Sequence, residues 1–124
     1  MTQMELWAGA MVGTAIDESE RWAVIDEFPD YQVSSNGRFR NRWSGKILSG
    51  ADHESGYRNI GFTKDGKLHV KLAHRIVAKA FVEQPSELKD EVNHKNKDRQ
   101  DNRACNLEWL THRENTKHSK KKTA

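Results

Sequence analysis

Two sets of residues in this 124-residue chain have types and spacings that could do chemistry. Arg38, Arg40 and Arg42 alternate with Phe39, Asn41 and Trp43. Successive side chains of a strand point to opposite faces, so one face becomes a row of guanidinium groups able to track phosphates while the other can pack. Near the C-terminus His112, Asn115 and His118 recur three residues apart, which places them on one face of a helix. The run from His112 to Lys120 holds no apolar residue to bury. A face of imidazoles and an amide suits a metal or a phosphate better than a hydrophobic neighbour. It equally suits a solvated helix whose histidines do nothing, and the run by itself leaves both readings open. The single cysteine, Cys105, excludes an intrachain disulfide framework and reads as an isolated buried thiol.

The elements that must position these groups are short. Strands are predicted at 22–25 and 31–34, followed by a turn at Ser35-Asn36-Gly37 and the arginine strand at 38–43. A hairpin follows, with strands at 57–63 and 68–73 joined through Lys64-Asp65-Gly66-Lys67, where Asp-Gly supplies the positive φ angles of a tight turn. In it Leu68, Val70 and Leu72 are expected to point inward and His69 and Lys71 outward. Residues 74–82 predict a helix whose stripe of Ile76, Val77, Ala80 and Phe81 lies across the sheet, with His74 packing or capping at its start and Gln84-Pro85 ending it. Residues 91–94 then read as a strand, 95–104 as a polar loop and 106–110 as a second strand with Leu107 and Trp109 in the core. Thr111 with Glu114 forms a capping box that opens a helix at His112.

Composition bounds the answer. With 35% hydrophobic and 31% charged residues and a mean hydropathy of -0.96, the core must be small, which excludes a large multidomain enzyme. The weakly apolar stretch 6–16 is too short to cross a bilayer and follows Glu5, so neither a membrane segment nor a signal peptide is expected, and the expected location is cytoplasmic. Residues 1–30 hold seven acids against one base, whereas the remainder holds 20 bases against 11 acids and carries the run Lys120-Lys121-Lys122. A basic body behind an acidic arm is the footprint of a nucleic-acid binder, and also of a solvated charged surface.

The runs Val92-Asn93-His94, Asn102, Asn106-Leu107-Glu108-Trp109 and Glu114-Asn115, in this order and spacing, resemble the ββα-metal core of the HNH endonucleases, of the phage and intron-associated homing type. The run from His74 to Phe81 is similar to the helix that precedes that core. Trp22, Ile25, Tyr31-Gln32-Val33-Ser34, Gly37-Arg38 and Ile47-Leu48 resemble a small module often fused to such nucleases. The likeness covers about residues 21–118. It implies an α+β fold: a small strand-rich N-terminal part, a connecting helix and a C-terminal ββα-metal core. The expected organisation is an acidic arm at 1–20, a strand-rich, DNA-contacting module at 21–50, a hairpin and helix at 51–83, the nuclease core at 84–118 and a basic tail at 119–124.

The resemblance also implies roles. His94 would be the general base that activates water for attack on a DNA phosphodiester. Asn93 and Asn115 would hold one divalent metal ion, Mg²⁺ or else Mn²⁺, and Asn106 would brace the loop and orient the base. Because consecutive strand residues face opposite ways, Asn93 and His94 can share one pocket only if the strand ends or turns there. With amides at both metal positions the pair carries no formal charge, so weak metal binding completed by a DNA phosphate is expected. Arg38, Arg40, Arg42, Lys46, Arg58, Lys71, His118 and the lysine tail would contact the phosphates of double-stranded DNA, positioning it without reading bases. The alternative is a DNA-binding module of the same fold with little or no cleavage.

Overall fold

Short strands of β-branched and aromatic residues, broken by turn residues, form three small antiparallel sheets. The structure, a computed structural model, describes residues 20–123, with side chains as far as residue 117. In chain order the elements are β1 (Trp22–Ile25), β2 (Phe28–Ser34), β3 (Phe39–Asn41), β4 (Ala51–Asp52), β5 (Arg58–Lys64), β6 (Lys67–Leu72), α1 (Ala73–Phe81), β7 (Glu91–His94), a 3-10 turn (Ala104–Asn106), β8 (Leu107–Leu110) and α2 (His112–Thr123). The sheets are β1-β2-β3, β4-β5-β6 and β7-β8. This is the expected α+β order: strand-rich N-terminal part, connecting helix, and a strand-strand-helix C-terminus. The side chains of His118 and of the lysine tail, and residues 1–19 of the acidic arm, lie outside the described residues. No helix among the described residues is long and apolar enough to cross a membrane.

The small sheets share one core. Ile25, Phe28, Val33 and Phe39 come from the first sheet, Ile60 and Phe62 from the hairpin, Ile76, Val77 and Ala78 from α1, and Val92, Leu107 and Trp109 from the last sheet. Phe62 is fully buried at the junction, its ring 4.7 Å from Phe28, 5.0 Å from Tyr31 and 5.9 Å from Phe39. On α1, Ala73, His74, Ile76, Val77 and Ala78 are buried and Phe81 is half-buried, but Ala80 is exposed, so the buried stripe is centred closer to the helix start than expected.

Three expectations are corrected. The β5–β6 hairpin closes on Asp65 (φ 54) and Gly66 (φ 76), as its sequence requires. Its faces are nonetheless inverted, with Leu68 68% and Val70 56% exposed. The turn sets the register, pairing Phe62 with His69 and Ile60 with Lys71. Once Ile60 and Phe62 take the core face, His69 and Lys71 must share it, and Leu68 and Val70 go to the other side. His69 packs 5.4 Å from Phe28, whereas Lys71 remains exposed. Secondly, Trp43 does not pack on the core face with Phe39. The strand stops at Asn41, whose Oδ1 accepts the N–H groups of Trp43 and Ser44 at 2.9 Å each, and the resulting turn leaves Trp43 71% exposed. Thirdly, Cys105 is exposed in the 3-10 turn rather than buried.

The capping box forms as read: the Glu114 N–H donates to Thr111 Oγ1 at 3.1 Å and the Thr111 N–H to Glu114 Oε1 at 3.0 Å. Lys89 adds an ion pair to Glu114 at 3.0 Å. This all-polar helix is therefore held by its start rather than by an apolar face.

Because Phe62 joins two sheets through three rings, Phe62→Ala should cost about 3–5 kcal/mol in urea denaturation, whereas Leu68→Ala on the exposed face should stay within about 0.5 kcal/mol. Equal losses at the two positions would contradict this placement of the core.

Candidate active site

β7 pairs with β8 in a register that sets Val92 against Trp109, Asn93 against Glu108 and His94 against Leu107. Alternation then gives the sheet two chemically distinct faces. Val92, His94, Leu107 and Trp109 turn toward the core, whereas Glu91, Asn93 and Glu108 share the other face, which α2 borders.

On the core face His94 is 4% exposed, and its Nε2 lies 2.7 Å from Asn102 Oδ1. A carbonyl oxygen can only accept, so the neutral ring carries its proton on Nε2, and Nδ1 keeps the lone pair. The ring centroid stands 5.1 Å from that of His74 and 5.8 Å from Tyr57, and His74 and Tyr57 are themselves stacked at 4.6 Å. Arg99 covers Tyr57 with its guanidinium 4.9 Å from the ring centroid. Burial pulls the His94 pKa below the ordinary histidine value, opposed in part by the Asn102 bond and the charges of Asp101 and Asp98. Burial, followed by the charges of His94 and Arg75, pushes His74 down to about 3, and its Nδ1 is buried without a hydrogen-bond partner. Both imidazoles are therefore neutral at neutral pH. His74 packs, as one of its two expected roles has it, and does not cap α1, whose N-cap is Leu72.

On the opposite face, Asn93 Nδ2 donates to Glu108 Oε2 at 2.8 Å and Asn115 Nδ2 donates to Glu91 Oε1 at 2.9 Å. The second oxygen of Glu91 meets His112 Nδ1 at 2.7 Å. The hydrogen bonds from Asn115 and His112 hold the Glu91 carboxyl below the usual carboxylate range. With each NH₂ tied to a carboxylate, each amide has its Oδ1 left over as an oxygen donor. Among the described residues no three His, Cys, Asp or Glu side chains are grouped to hold a metal ion. The amide oxygens, backed by two carboxylates, fit a hard divalent cation that keeps most of its coordination sphere for water and phosphate oxygens.

Asn106 braces the loop between the two strands. Its Oδ1 accepts the Asn96 N–H at 3.1 Å, and its Nδ2 donates to Asn96 Oδ1 at 3.0 Å and to the Asp101 carbonyl at 2.9 Å. The residue that touches His94 is Asn102, so orientation of the imidazole passes to the buried asparagine four positions earlier. Asp101 is paired with Arg103 at 2.8 Å, which holds its carboxyl at about 2.

The basic residues fall into two groups. Arg42, Lys46 and Lys71 are exposed. Arg38 and Arg40 share a face as expected, but both lie over Trp22, at 5.5 and 3.9 Å from the ring centroid. Arg38 makes a two-pronged bond with Glu20 at 2.6 and 2.9 Å, and Arg40 donates to Gln32 at 2.7 Å. Arg58 pairs with Asp52 at 3.2 Å. Arg38, Arg58 and Asn102 come together on the walls of one cleft of about 180 Å³.

Sequence reasoning left out Glu91 and Glu108 as partners of the amides, Asn102 as the partner of the imidazole, and the Tyr57–His74 stack. A signal existed for one of them: Glu91 lies two residues before Asn93 and must share its face. The others depend on pairings across the chain.

Comparison with known proteins bears on the same residues. Residues 71–117 match the HNH endonuclease family, and residues 20–63 match the NUMOD4 motif. The DNA endonuclease I-HmuI of Bacillus phage SP01 is 38% identical over 85 residues, 68% of this chain and 48% of that protein. The H-N-H endonuclease F-TflII of Escherichia phage T5 is 32% identical over 93 residues, 74% of this chain and 48% of that protein. An uncharacterized HNH endonuclease of Acanthamoeba polyphaga mimivirus is 33% identical over 99 residues, 80% of this chain and 29% of that protein. This chain thus spans less than half the length of these curated relatives. A solved structure described as DNA binding and cleavage by the HNH homing endonuclease I-HmuI superposes with a TM-score of 0.75 at 33% identity, covering 83% of this chain and 59% of that one. The matches in sequence and in fold thus fall on the strand-strand-helix unit and on the strand-rich module before it: residues 71–117 belong to the HNH endonuclease family, with a NUMOD4 motif ahead of them at residues 20–63.

Proposed function

We propose that this protein is a divalent-metal-dependent DNA endonuclease that hydrolyses phosphodiester bonds, with His94 as general base and Asn93 and Asn115 as the metal-holding residues. The observation that carries the reading is the division of labour across β7. His94 works on one face and Asn93 on the other, one residue apart. Hydrolysis of a phosphodiester by in-line displacement needs the attacking water and the leaving oxygen on opposite sides of phosphorus. A phosphate at the end of β7 would meet a base from one face and the amide oxygens from the other.

The residues supply distinct parts of the chemistry. Asn102 fixes the His94 ring with the proton on Nε2. Nδ1 then takes a proton from water, and the resulting imidazolium is offset by the nearby charges of Asp101 and Asp98. Glu91 and Glu108 orient the Asn115 and Asn93 amides and bring negative charge behind them. Mg²⁺ or a similar cation, when bound there, would neutralise charge on the phosphate and on the departing 3′ oxygen. The products would be a 5′ phosphate and a 3′ hydroxyl. Arg42, Lys46 and Lys71, exposed on the module and hairpin, are suited to position double-stranded DNA through its phosphates, with salt-sensitive affinity. I-HmuI is named as a DNA endonuclease, which supports the same substrate class here.

Supercoiled plasmid incubated in Mg²⁺, Mn²⁺ or EDTA tests this reading. Wild type should convert it to open-circle or linear DNA only with metal present. His94→Ala should lower the rate by about 10²–10⁴-fold while retaining gel-shift affinity. Asn115→Ala should abolish metal-dependent cleavage with DNA binding intact. Binding without cleavage by the wild type would leave a DNA-binding module of the same fold, and no binding would end the nucleic-acid reading.

The base functions only when neutral, so kcat/KM should fall as pH drops through the His94 pKa. Burial sets that midpoint below 6.5, and cleavage at pH 6.5 should stay above half its plateau. A midpoint above 6.5 in the pH–rate profile would contradict the burial of His94.

A further inference from the structure

The bond that orients His94 depends on a loop, and that loop rests on the N-terminal module. Asn102 is buried and receives His94 Nε2 at 2.7 Å. Two residues on, the Ala104 N–H donates to the carbonyl of Ser35 at 2.7 Å. Gly37, in the same turn as Ser35, has φ +87, and a Cβ built on it would stand 2.8 Å from the Asn102 carbonyl oxygen, 3.0 Å from its carbon and 3.1 Å from its Cβ. No side chain fits between the turn and the Asn102 backbone. The turn itself is tied down. Ser34 is fully buried, and its Oγ accepts the N–H groups of Asn36 at 3.1 Å and Arg38 at 3.0 Å. Ser35 exchanges two bonds with Arg21, at 2.8 and 2.9 Å.

We propose that the Ser35-Asn36-Gly37 turn is part of the machinery that positions the base, with Gly37 a positioning residue acting through Asn102 on His94. The module then has a second task besides holding DNA. It forms the floor against which the base-orienting loop is set, so the nuclease unit is complete only with the module in place. Arg38 follows Gly37 directly and lines the cleft beside Asn102, so the turn also links a candidate phosphate contact to the base. The catalytic part of this inference rests on the endonuclease reading; the geometric part does not.

The test uses the full chain and four variants. Gly37→Ala places a methyl against the Asn102 backbone. Gly66→Ala is the control for backbone strain, because Gly66 has φ +76 but nothing within 4 Å of its added Cβ. Ala104→Pro removes the N–H given to Ser35 and sets the proline ring carbon in its place against the Ser35 carbonyl, so it opens this contact between loop and turn. Ala104 opens a 3-10 turn, and Arg103 before it has φ -64 and ψ 140, the conformation proline prefers in its predecessor. Asn102→Ala removes the bond to His94 outright.

Two readouts are taken: plasmid cleavage kinetics, and nitrogen-resolved NMR of the His94 imidazole in metal-free protein. Gly37→Ala should lower kcat by about 10²-fold, as expected for a displaced catalytic group, with KM and metal-free DNA affinity within about twofold. Ala104→Pro should change kcat in the same direction. Both should shift the His94 Nε2 proton signal toward that of Asn102→Ala, whereas Gly66→Ala should leave kcat and the signal at wild-type values. Wild-type kcat and His94 signal in Gly37→Ala, or an equal loss in Gly66→Ala, would overturn the proposal. Should Gly37→Ala fail to fold, Ala104→Pro decides alone. Should the wild type itself not cleave DNA, the endonuclease reading fails and the His94 signals decide the positioning claim without it.

Discussion

Much in this small protein follows from the pairing of β7 with β8. A strand must alternate its side chains, and here two adjacent residues of different chemistry, Asn93 and His94, fall on opposite faces of a four-residue strand. One face must therefore be supplied with what a buried imidazole needs and the other with what two amides need. The rest of the chain is arranged to do both. The core face receives Tyr57, His74 and Asn102, and the outer face receives Glu91, Glu108 and the start of α2.

The core is small, and its economy explains why the parts depend on one another. No single sheet has enough apolar surface to stand alone, so side chains from the module, the hairpin, α1 and the nuclease strands form one cluster, with Phe62 at the junction. Where apolar burial runs out, polar contacts take over. α2 has no apolar residue and is anchored by its capping box, by Lys89 on Glu114, and by Glu91 receiving His112 and Asn115. The loop carrying Asn102 is held by Asn106 from below and by the Ser35 carbonyl from the side. Precision at the site thus comes from hydrogen bonds among side chains and to loop backbone rather than from a large packed interior.

Features carried by neighbours in sequence were legible. The Thr111–Glu114 box spans three residues, and the Asp65-Gly66 turn depends on the φ angles of two. Of the arginine row expected on the strand 38–43, Arg38 and Arg40 share a face over Trp22, whereas Arg42 follows the end of β3 at Asn41 and lies over Trp43. The hairpin faces were not legible, because both parities carry large apolar residues: Ile60 and Phe62 on one, Leu68 and Val70 on the other. Which set is buried depended on the partners waiting across the core, Phe28, Tyr31 and Phe39, and the sequence of the hairpin does not contain them. Trp43 and Cys105 departed from expectation for a related reason. Each was placed by a local turn: one ends β3 at Asn41, before Trp43, and the other holds Cys105 in a 3-10 turn so that β8 starts only at Leu107.

Read alone, the sequence determined the order of elements, the local turns and caps, and the residue types of the site, because these follow from short-range geometry and from motifs with a fixed spacing. Only the tertiary structure decided which asparagine meets His94, that carboxylates stand behind Asn93 and Asn115, and that Gly37 lies against Asn102. Those contacts join residues 8 to 65 positions apart. Their selection is made by competition for a small core and by the closeness of two backbones where a glycine leaves room. No window of sequence encodes that closeness.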